Sequence, residues 1–382
     1  MKIKDISIIV CAVLGCGLLY WGTTPSLDNM VGQMIMTGFH GDGNGENSES
    51  FAAIEKQIKS GHVGGVILFD VDISGLTATG MSIQDAKKQI FSSNIKNVAQ
   101  VKQLTEHLQS IAPKTLLIAV DQEGGEIQRL KPEHGFAPIP SAKDMGKNNP
   151  DFTYKTAYDL GLRLSELGIN VDFAPVVDVD VNPESPAIGA KSRSFSDKPD
   201  VVAMHGNAFA KGLADAHVIS SFKHFPGHGS ATGDTHEGLT DVTKTYQDYE
   251  LAPNNMLFGN NKSECKTVMV AHVINNKFDT LPASLSKNTI DMMRSMGFNG
   301  VVFSDDMDMG AIVNQYGRDA AIQMAIDAGN DILVFGNNLT FDKNRGEEVH
   351  GIIMKMVHDG KIKKSRIRES YRRIMRMKKC IN

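Results

Sequence analysis

The feature that most constrains the fold is a repeated alternation of short apolar runs with longer amphipathic stretches. Eight apolar runs have the length of strands: Met30–Phe39, Gly64–Phe69, Thr115–Val120, Asn170–Val177, Val218–His224, Thr267–Val273, Gly300–Ser304 and Asp331–Phe335. Between most of them lie amphipathic stretches of helix length, such as Asp151–Leu167, Lys198–Ala214 and Arg318–Ala328. Near-continuous apolar strands that alternate with helices predict parallel strands with helical crossovers. Eight such units favour a (β/α)8 barrel over an open sheet.

The length of the chain fits one such barrel. At roughly 100–200 residues per domain, 382 residues would suggest two or three domains. Barrels, however, routinely run past about 250 residues as one domain. The sequence contains no internal repeat and no domain linker, and the lack of G-x-G-x-x-G after an early strand weighs against a dinucleotide-binding fold. We therefore predict an α/β protein whose single barrel spans residues 26–382.

Composition excludes several classes of protein. Hydrophobic residues make up 41% and charged residues 22% of the chain, as in ordinary globular proteins. This composition excludes a disordered chain, a coiled coil and a polytopic membrane protein. The formal net charge of -4 provides no bulk attraction to nucleic acid, so none is expected as a partner. Four cysteines in such a long chain exclude a disulfide scaffold, and the sequence leaves open whether Cys265 and Cys380 pair.

The first residues differ from the rest of the chain. Lys2 and Lys4 precede an apolar run that ends at Trp21, which is typical of a secretory signal or an N-terminal anchor. The run is shorter than the roughly 20 residues that span a bilayer, and no clear small-x-small cleavage site follows it. We predict that residues 1–25 are a signal peptide or membrane anchor, with attachment favoured over release, and that the protein is exported to the periplasm or cell envelope. The alternative is a buried first helix of the domain.

Polar side chains follow most of the predicted strands. In a barrel of this kind the chemistry occurs at the carboxyl ends of the strands. The residues at these ends are Asp70, Asp121, Lys223, His224, His272, Asp305 and Asp306. Any one of them could simply form a turn, but burying charge is costly unless the charge is paired or used. The whole set on one rim therefore predicts a site for a polar substrate.

Asp305 is the residue with the strongest individual case. It follows the apolar run Gly300–Ser304, so the backbone beneath it is held rigidly. A carboxylate on a strand end can stabilise charge or act as a covalent nucleophile. In extended geometry the next side chain, Asp306, points the other way, and we predict a structural role for it.

A histidine-rich segment follows the fifth predicted strand. It contains His224, His228 and, after Asp234, His236. Three histidines first suggest a metal site, but their spacing does not match a helical ligand pair and no Cys or Glu completes a zinc set. We therefore predict no metal and no cofactor. Because an Asp can orient a nearby imidazole, we expect Asp234 to tune His236 as a proton donor and acceptor. A serine nucleophile is not supported, since G-x-S-x-G is missing.

Short motifs occur along the chain in a specific order. They read Val63-Gly64-Gly65-Val66-Ile67-Leu68-Phe69, Val120-Asp121-Gln122-Glu123-Gly124-Gly125, Phe173-Ala174-Pro175-Val176-Val177-Asp178, Lys191-Ser192-Arg193-Ser194-Phe195, Lys223 to Gly229, Asp234-Thr235-His236, Met269-Val270-Ala271-His272 and Phe303-Ser304-Asp305-Asp306-Met307. In order and spacing this series resembles glycoside hydrolase family 3, specifically its bacterial β-N-acetylhexosaminidase branch. The resemblance extends from about Met30 to about Gly336.

The resemblance implies a barrel that acts on terminal β-linked N-acetylglucosamine by a retaining, two-step reaction. Asp305 matches the family nucleophile, which would form a glycosyl-enzyme intermediate. His236 matches the unusual acid/base of this branch, with Asp234 as its partner. Most retaining glycosidases use two carboxyl groups instead.

The resemblance also implies which residues bind the sugar. Lys223, His224 and Arg193 match positions that hold sugar hydroxyls in place for attack. Three further residues are expected to line or support the pocket: Asp121, Asp178 and His272.

The sequence departs from the family pattern in two places. Glu126 stands where an Arg usually follows Glu-Gly-Gly, although Arg129 lies close by. The segment 93–97, which often supplies an early substrate-binding Asp, contains none. We expect Asp70 or Asp72 to take over that role.

The function predicted from the sequence is that of an envelope β-N-acetylglucosaminidase. Its substrate would be a carbohydrate fragment derived from peptidoglycan or chitin, and we expect a monomer. Three alternatives stay open: a phosphorylase of the same family, a β-glucosidase, which the Asp-Thr-His element disfavours, and a catalytically inactive glycan-binding protein.

Overall fold

A computed structural model describes residues 25–72, 91–233, 235, 238–259 and 265–381. The predicted leader, residues 1–25, lies outside the described residues except for Pro25. Asp234 and His236 also lie outside them. In the described part of the chain, no helix combines the length and the apolar character needed to cross a membrane.

Within the described residues, eight parallel strands close into a barrel. These strands are β1 Ile35–Thr37, β2 Gly65–Ile67, β3 Leu117–Val120, β4 Val171–Asp172, β5 Ile219–Phe225, β6 Thr267–Val270, β7 Val301–Asp306 and β8 Ile332–Phe335. Each strand pairs with the next one in chain order, and β8 pairs with β1. Met36 closes the ring, with Val334 beside it in β8 and Gly65 beside it in β2. The predicted (β/α)8 barrel is therefore confirmed.

Helices surround the strands. They are α1 Leu27–Gly32, α2 Ser48–Ser60, α3 Val98–Ile111, α4 Ala142–Met145, α5 Pro150–Glu166, α6 Pro199–Asp215, α7 Ala252–Gly259, α8 Lys287–Ser295, α9 Gly310–Tyr316, α10 Arg318–Ala328, α11 Arg345–His358 and α12 Lys364–Met377. Local sequence sets several of the starts. The Asn149 side chain accepts a hydrogen bond from the Phe152 amide, and Pro150 occupies the first helical position of α5. Ser286 caps α8 in the same way through the Thr289 amide.

The chain also forms smaller elements outside the barrel. Short strands outside it are Val71–Asp72, Phe91–Ser92, Gln122–Gly124, Ile127–Gln128, Thr240–Asp241, Val273–Asn275 and Asp279–Pro282. Single 3-10 turns occupy Pro132–His134, Gly189–Lys191, Asp248–Leu251, Ala283–Leu285 and Lys378–Cys380. The strand Val273–Asn275 pairs with both Thr240–Asp241 and Asp279–Pro282. This small sheet lies next to the segment that follows β5.

Most of the predicted strands are shorter in the structure, and for two of them the sequence gives a local reason. The run Met30–Phe39 begins as helix α1 and continues as β1 only from Ile35. A short apolar run has no periodicity that separates helix from strand, and the side chain of Ser26 caps the helix. The fourth predicted strand narrows to β4 before Pro175, because proline cannot donate a hydrogen bond to a ladder.

The core consists of apolar side chains inside the barrel and between the barrel and the helices. Phe173, Phe222, Phe303 and Phe335 are fully buried. A disulfide joins Cys265, before β6, to Cys380 at the end of the chain. The pairing that the sequence leaves open is thus formed in the structure.

Candidate active site

A cavity of about 480 Å³ opens at the carboxyl ends of the barrel strands. Its wall includes side chains that follow or end most of the strands: Asp70, Asp121, Phe173, Lys223, His224, Met269, Asp305 and Asp306. Arg193 and Glu123 also line it. Six of the residues assigned to the site from the sequence therefore share one cavity: Asp305, Lys223, His224, Arg193, Asp121 and Asp70.

Glu123 links the two principal cations of the cavity. Arg193 donates from Nε to Oε2 of Glu123 at 2.7 Å and from Nη2 to Oε1 at 2.6 Å. The Nζ atom of Lys223 lies 2.7 Å from the same Oε1. Lys223 also donates to Oδ1 of Asp121 at 2.8 Å. Paired, charge-assisted contacts of this kind fix the positions of both cations.

The protonation states of this network follow from its pairing. Burial by itself raises the pKa of Glu123, but the charges of Arg193 and Lys223 outweigh it and lower the pKa to about 2. Asp121 is partly buried, which raises its pKa, but Lys223 and Arg129 hold that pKa well below the usual range. Burial opposes the charge on Lys223, but the two carboxylates raise its pKa overall. The network is therefore fully ionised at neutral pH.

His224 is oriented by the buried carboxylate of Asp178. Its Nδ1 lies 2.7 Å from Oδ2 of Asp178, and its Nε2 lies 3.3 Å from Nη2 of Arg193. Burial raises the pKa of Asp178, but the neighbouring His224 lowers it overall, so the carboxylate is ionised at neutral pH. The backbone amide of His228 donates to the other oxygen of Asp178 at 2.8 Å. A carboxylate that holds Nδ1 fixes the orientation of the ring and with it the direction of Nε2.

Asp305 lies at the end of β7 in the cavity wall and is partly buried. Its Oδ1 accepts the backbone amide of Asp306 at 2.8 Å. The carboxylate of Asp306 is occupied by the backbone, since its Oδ1 accepts the amides of Gly336 at 2.8 Å and Asp308 at 2.9 Å. A Cβ on Gly336 would overlap this carboxylate, so only glycine allows the approach. Asp306 therefore holds the strand end in place, although it also lines the cavity beside Asp305 and does not point away from it as expected.

The carboxyl group of Asp306 also has an unusual pKa. Burial, followed by the charge of Asp308, raises this pKa to about 7. Fixing Asp306 to the backbone also fixes the strand end that carries Asp305, so the orientation of Asp305 is set before a substrate enters.

His272, expected from the sequence to bind substrate or support the pocket, lies among protein groups. Its side chain is fully buried, with Nδ1 2.6 Å from Oγ of Ser284 and Nε2 2.9 Å from the carbonyl oxygen of Asp306. Through these contacts His272 supports the strand end at Asp306. A contact between His272 and the sugar stays a prediction.

Asp70 lies on the far side of the cavity, at the carboxyl end of β2. Its Oδ2 lies 2.5 Å from Nζ of Lys131, and its Oδ1 lies 4.0 Å from Nη1 of Arg129. Arg129 also donates to Oδ2 of Asp121 at 3.3 Å. The side chain of Asp72, the other residue expected there, lies outside the described part of the structure. Asn94, from the segment without an Asp, accepts the Phe69 amide at 3.0 Å and supports the loop after β2.

Several cavity residues are not identified as site residues by the sequence: Glu123, Lys131, His228, Thr235 and Asn338. The sequence does contain a signal for Glu123. Side chains two residues apart in an extended chain point to the same side, and Asp121, two residues before Glu123, is already a candidate. His228 is buried, and burial followed by the charge of His224 lowers its pKa to about 4, so it is neutral at pH 7. Thr235, between the two undescribed residues Asp234 and His236, also lines the cavity.

Together the fold and the cavity define an enzyme class: a barrel enzyme with a fixed, charged site for a polar substrate at the carboxyl ends of its strands. The family model described as "Glycosyl hydrolase family 3 N terminal domain" matches residues 26–377. The chain therefore belongs to glycosyl hydrolase family 3, and it is a glycosidase.

Individual relatives are consistent with this family. The chain is 34% identical over 261 residues to a protein of Nitrosomonas eutropha named beta-hexosaminidase, covering 65% of this chain and 73% of that one. It is 35% identical over 257 residues to a protein of the same name from Xylella fastidiosa, covering 64% and 74%.

Solved structures agree as well. A family 3 β-N-acetylglucosaminidase from Paenibacillus superposes with a TM-score of 0.79 at 31% identity. The match covers 94% of this chain but only 63% of the Paenibacillus chain, so the present chain spans less than two thirds of that enzyme.

Proposed function

We propose that this glycosidase is a retaining β-hexosaminidase that releases terminal β-linked N-acetylglucosamine from fragments of cell wall or chitin. The observation that carries the proposal is the position of Asp305, on a rigid strand end in a cavity that also contains Lys223, His224 and Arg193. The names of the relatives from Nitrosomonas, Xylella and Paenibacillus support the choice of sugar.

In the first step the carboxylate of Asp305 attacks the anomeric carbon. The bond from that carbon to the leaving oxygen breaks, and His236, with Asp234 as its proposed partner, gives its proton to that oxygen. The product of this step is a glycosyl ester on Asp305. In the second step His236 takes a proton from water, the water attacks the anomeric carbon and Asp305 is released. Two inversions at the same carbon retain its configuration.

The cations of the cavity hold the sugar while this happens. Lys223 and Arg193 are locked by Glu123 and Asp121, so their remaining N–H groups have fixed directions. Nε2 of His224 has its direction fixed by Asp178. Hydrogen-bonding groups with preset directions hold the ring in a reactive position without reorganisation during the reaction.

The role of Asp305 is tested with an aryl β-N-acetylglucosaminide. Asp305→Asn should lower kcat at least about a thousandfold, as removal of a nucleophile does in other covalent catalysts. Asp319→Asn, in the first turn of α10, is the matched control and should keep normal turnover. Near-normal turnover of Asp305→Asn would exclude the nucleophile assignment.

The role of His236 is tested through the leaving group. His236→Ala should lose most activity on a substrate whose leaving group has a high pKa. It should lose far less on one with a low pKa, which needs little protonation. Equal losses on both substrates would contradict the assignment of His236 as the acid.

The reaction type is tested by comparing initial rates on aryl β-N-acetylglucosaminide and aryl β-glucoside, with and without phosphate. We expect the free sugar from the first substrate, a slower rate on the glucoside and no dependence on phosphate. Sugar 1-phosphate as the main product would favour a phosphorylase instead, and a faster rate on the glucoside would favour a β-glucosidase. Binding of a β-N-acetylglucosaminide without turnover would favour an inactive glycan-binding protein.

We further propose that the protein is an exported monomer attached to the cell envelope. The basic and apolar pattern of residues 1–25 supports export, and so does the Cys265–Cys380 disulfide, because disulfides persist in oxidising compartments. Residues 1–25 fused to a reporter enzyme that is active only outside the cytoplasm should give activity, and the same fusion with Lys2→Glu and Lys4→Glu should give less. Cytoplasmic retention of the unaltered fusion would contradict export. Light scattering after gel filtration measures the molar mass in solution and so tests whether the protein is a monomer.

A further inference from the structure

A second group of chemically active side chains lies away from the cavity. Asp28 is in α1, His62 lies between α2 and β2, and His350 is in α11. His62 precedes its strand, so this group lies at the amino end of β2, whereas the cavity lies at the carboxyl ends. Its members come from three separate parts of the sequence, so no short sequence motif contains all of them.

The arrangement of the three side chains matches the requirements of a small metal ion. Nε2 of His62 lies 3.5 Å from Oδ2 of Asp28, and Nε2 of His350 lies 3.5 Å from Oδ1 of the same carboxylate. One ligand atom from each residue lies within 4.8 Å of the others. Around a tetrahedral zinc ion with bonds of about 2.0–2.2 Å, neighbouring ligand atoms are about 3.3 Å apart. Small side-chain movements would therefore bring all three atoms into coordination.

The surroundings of the histidines also suit a metal ion. Oε2 of Glu347 lies 2.8 Å from Nδ1 of His62, which leaves Nε2 directed towards Asp28. A carboxylate behind a ligating histidine is the usual way in which proteins fix the tautomer and orientation of such a ligand. His350 is buried and stacks on His62, with ring centroids 4.0 Å apart.

The geometry points to a binding site for one divalent transition metal ion of the zinc class, with Nε2 of His62, Nε2 of His350 and the carboxylate of Asp28 as ligands. Two imidazoles and one carboxylate suit zinc and its neighbours better than magnesium or calcium, which prefer oxygen ligands alone. The side chain of Asp28 is 43% exposed, so an ion can enter from solvent and water can complete its coordination.

A structural role follows from the position of the site. The ion would join α1, which precedes β1, to α11, which follows β8, and both to the start of β2. These elements surround the seam at which β1 closes the barrel between β8 and β2. A ligand that binds only the folded chain stabilises it in proportion to the logarithm of its concentration.

The site is tested by titrating the full chain, freed of metal with a chelator, with zinc chloride in a calorimeter. The wild type should bind one equivalent, with a rise in Tm. Asp28→Asn and His62→Gln should each lower the affinity for zinc at this site by at least about tenfold. His107→Gln is the matched control, because His107 pairs only with Glu55 among the contacts described for its ring nitrogens, at 2.5 Å. It should bind zinc like the wild type.

The alternative result is zinc bound to the histidines of the cavity, and the His224→Gln variant tests for it. It should keep the zinc equivalent, and Asp28→Asn should keep the glycosidase activity of the wild type. The site is excluded if the wild type binds no zinc, or if Asp28→Asn and His62→Gln both bind it with unchanged affinity. It is also excluded if His224→Gln alone removes the equivalent. In those cases the cluster is a hydrogen-bonded group, as the 3.1 Å contact between Nε2 of His350 and the Asp28 carbonyl oxygen allows.

Discussion

Asp178 holds His224 through a 2.7 Å contact between Oδ2 and Nδ1, and the same oxygen lies 3.2 Å from the backbone nitrogen of His224. The carboxylate therefore fixes both the ring and the strand end of the residue that it orients. Its other oxygen accepts the backbone amide of His228, so it also sets the start of the segment that follows β5. One buried carboxylate thus positions a predicted sugar-binding side chain and the loop next to it.

Replacing this carboxylate should impair substrate positioning. Asp178→Asn keeps the shape of the side chain but removes the charge and offers one acceptor oxygen in place of two. We expect kcat/KM on an aryl β-N-acetylglucosaminide to fall about a hundredfold, because errors in placement of the order of 1 Å have effects of that size. Steady-state kinetics on purified protein measures the change.

The matched control is Asp180→Asn. Asp180 is two residues further along the chain and pairs with Lys143 at 3.3 Å, away from His224. It should keep kcat/KM within a few-fold of the wild type. If both variants lose activity equally, the effect comes from the local fold and not from the orientation of His224.

Glu123 should be essential for stability as well as for the site. Glu123→Gln would leave the buried Lys223 and the partly buried Arg193 with one charged partner fewer. Breaking a buried ion pair on one side typically costs about 3–5 kcal/mol. We expect a loss of this size in the free energy of unfolding at pH 7, measured by urea denaturation.

Asp159→Asn provides the comparison for an exposed pair. Asp159 lies 3.4 Å from Lys155 on the surface of α5, and such pairs contribute about 1 kcal/mol or less. A Glu123→Gln variant as stable as Asp159→Asn would show that the buried network tolerates an uncompensated cation.

The barrel could be predicted from sequence because parallel strands are buried on both faces and therefore read as continuous apolar runs. The eight runs appear in the structure as β1 to β8. Strand lengths could not be predicted as well. In Met30–Phe39, helix and strand both bury apolar residues, and only the cap at Ser26 and the packing around the barrel decide between them.

The site was predictable where a polar residue ends a strand, as for Asp305, Lys223 and Asp121. His272 shows the limit of this rule, because a strand end can also turn its side chain beneath the rim towards Ser284. Lys131 could not be predicted, since it lies in a loop whose path brings it to Asp70 only in the folded chain. Partners that come from distant parts of the chain leave no local pattern in the sequence.

Glu250 should make stability depend on pH. Its carboxylate is buried and accepts the amides of Gln247 at 2.8 Å and Ser230 at 3.2 Å. Burial raises its pKa to about 7, from an ordinary value of 4.5. Between these two values the folded state holds a proton that the unfolded state has released. The contribution of Glu250 to stability is therefore full below about pH 4.5 and is lost as the pH rises towards 7.

Glu250→Gln removes this titration. The free energy of unfolding of the wild type, relative to the variant, should fall by about 2 kcal/mol between pH 5 and pH 8, since each pKa unit corresponds to about 1.4 kcal/mol. Urea denaturation at several pH values measures it. Glu133→Gln, at an exposed position, is the control for removing a carboxylate from the chain. A difference between Glu250→Gln and the wild type that stays constant with pH would contradict the raised pKa of Glu250.

The disulfide should stabilise the barrel by limiting the conformations available to the unfolded chain. Cys265 and Cys380 are 115 residues apart, and closing a loop of that length stabilises the folded state by about 3–5 kcal/mol in the chain-entropy account. Urea denaturation of the wild type with dithiothreitol should therefore show a loss of this size relative to oxidising conditions. The Cys265→Ser, Cys380→Ser double variant should resemble the reduced wild type and should not respond to dithiothreitol. A response in the double variant would mean that the reductant acts elsewhere in the chain, since Cys11 and Cys16 remain in it.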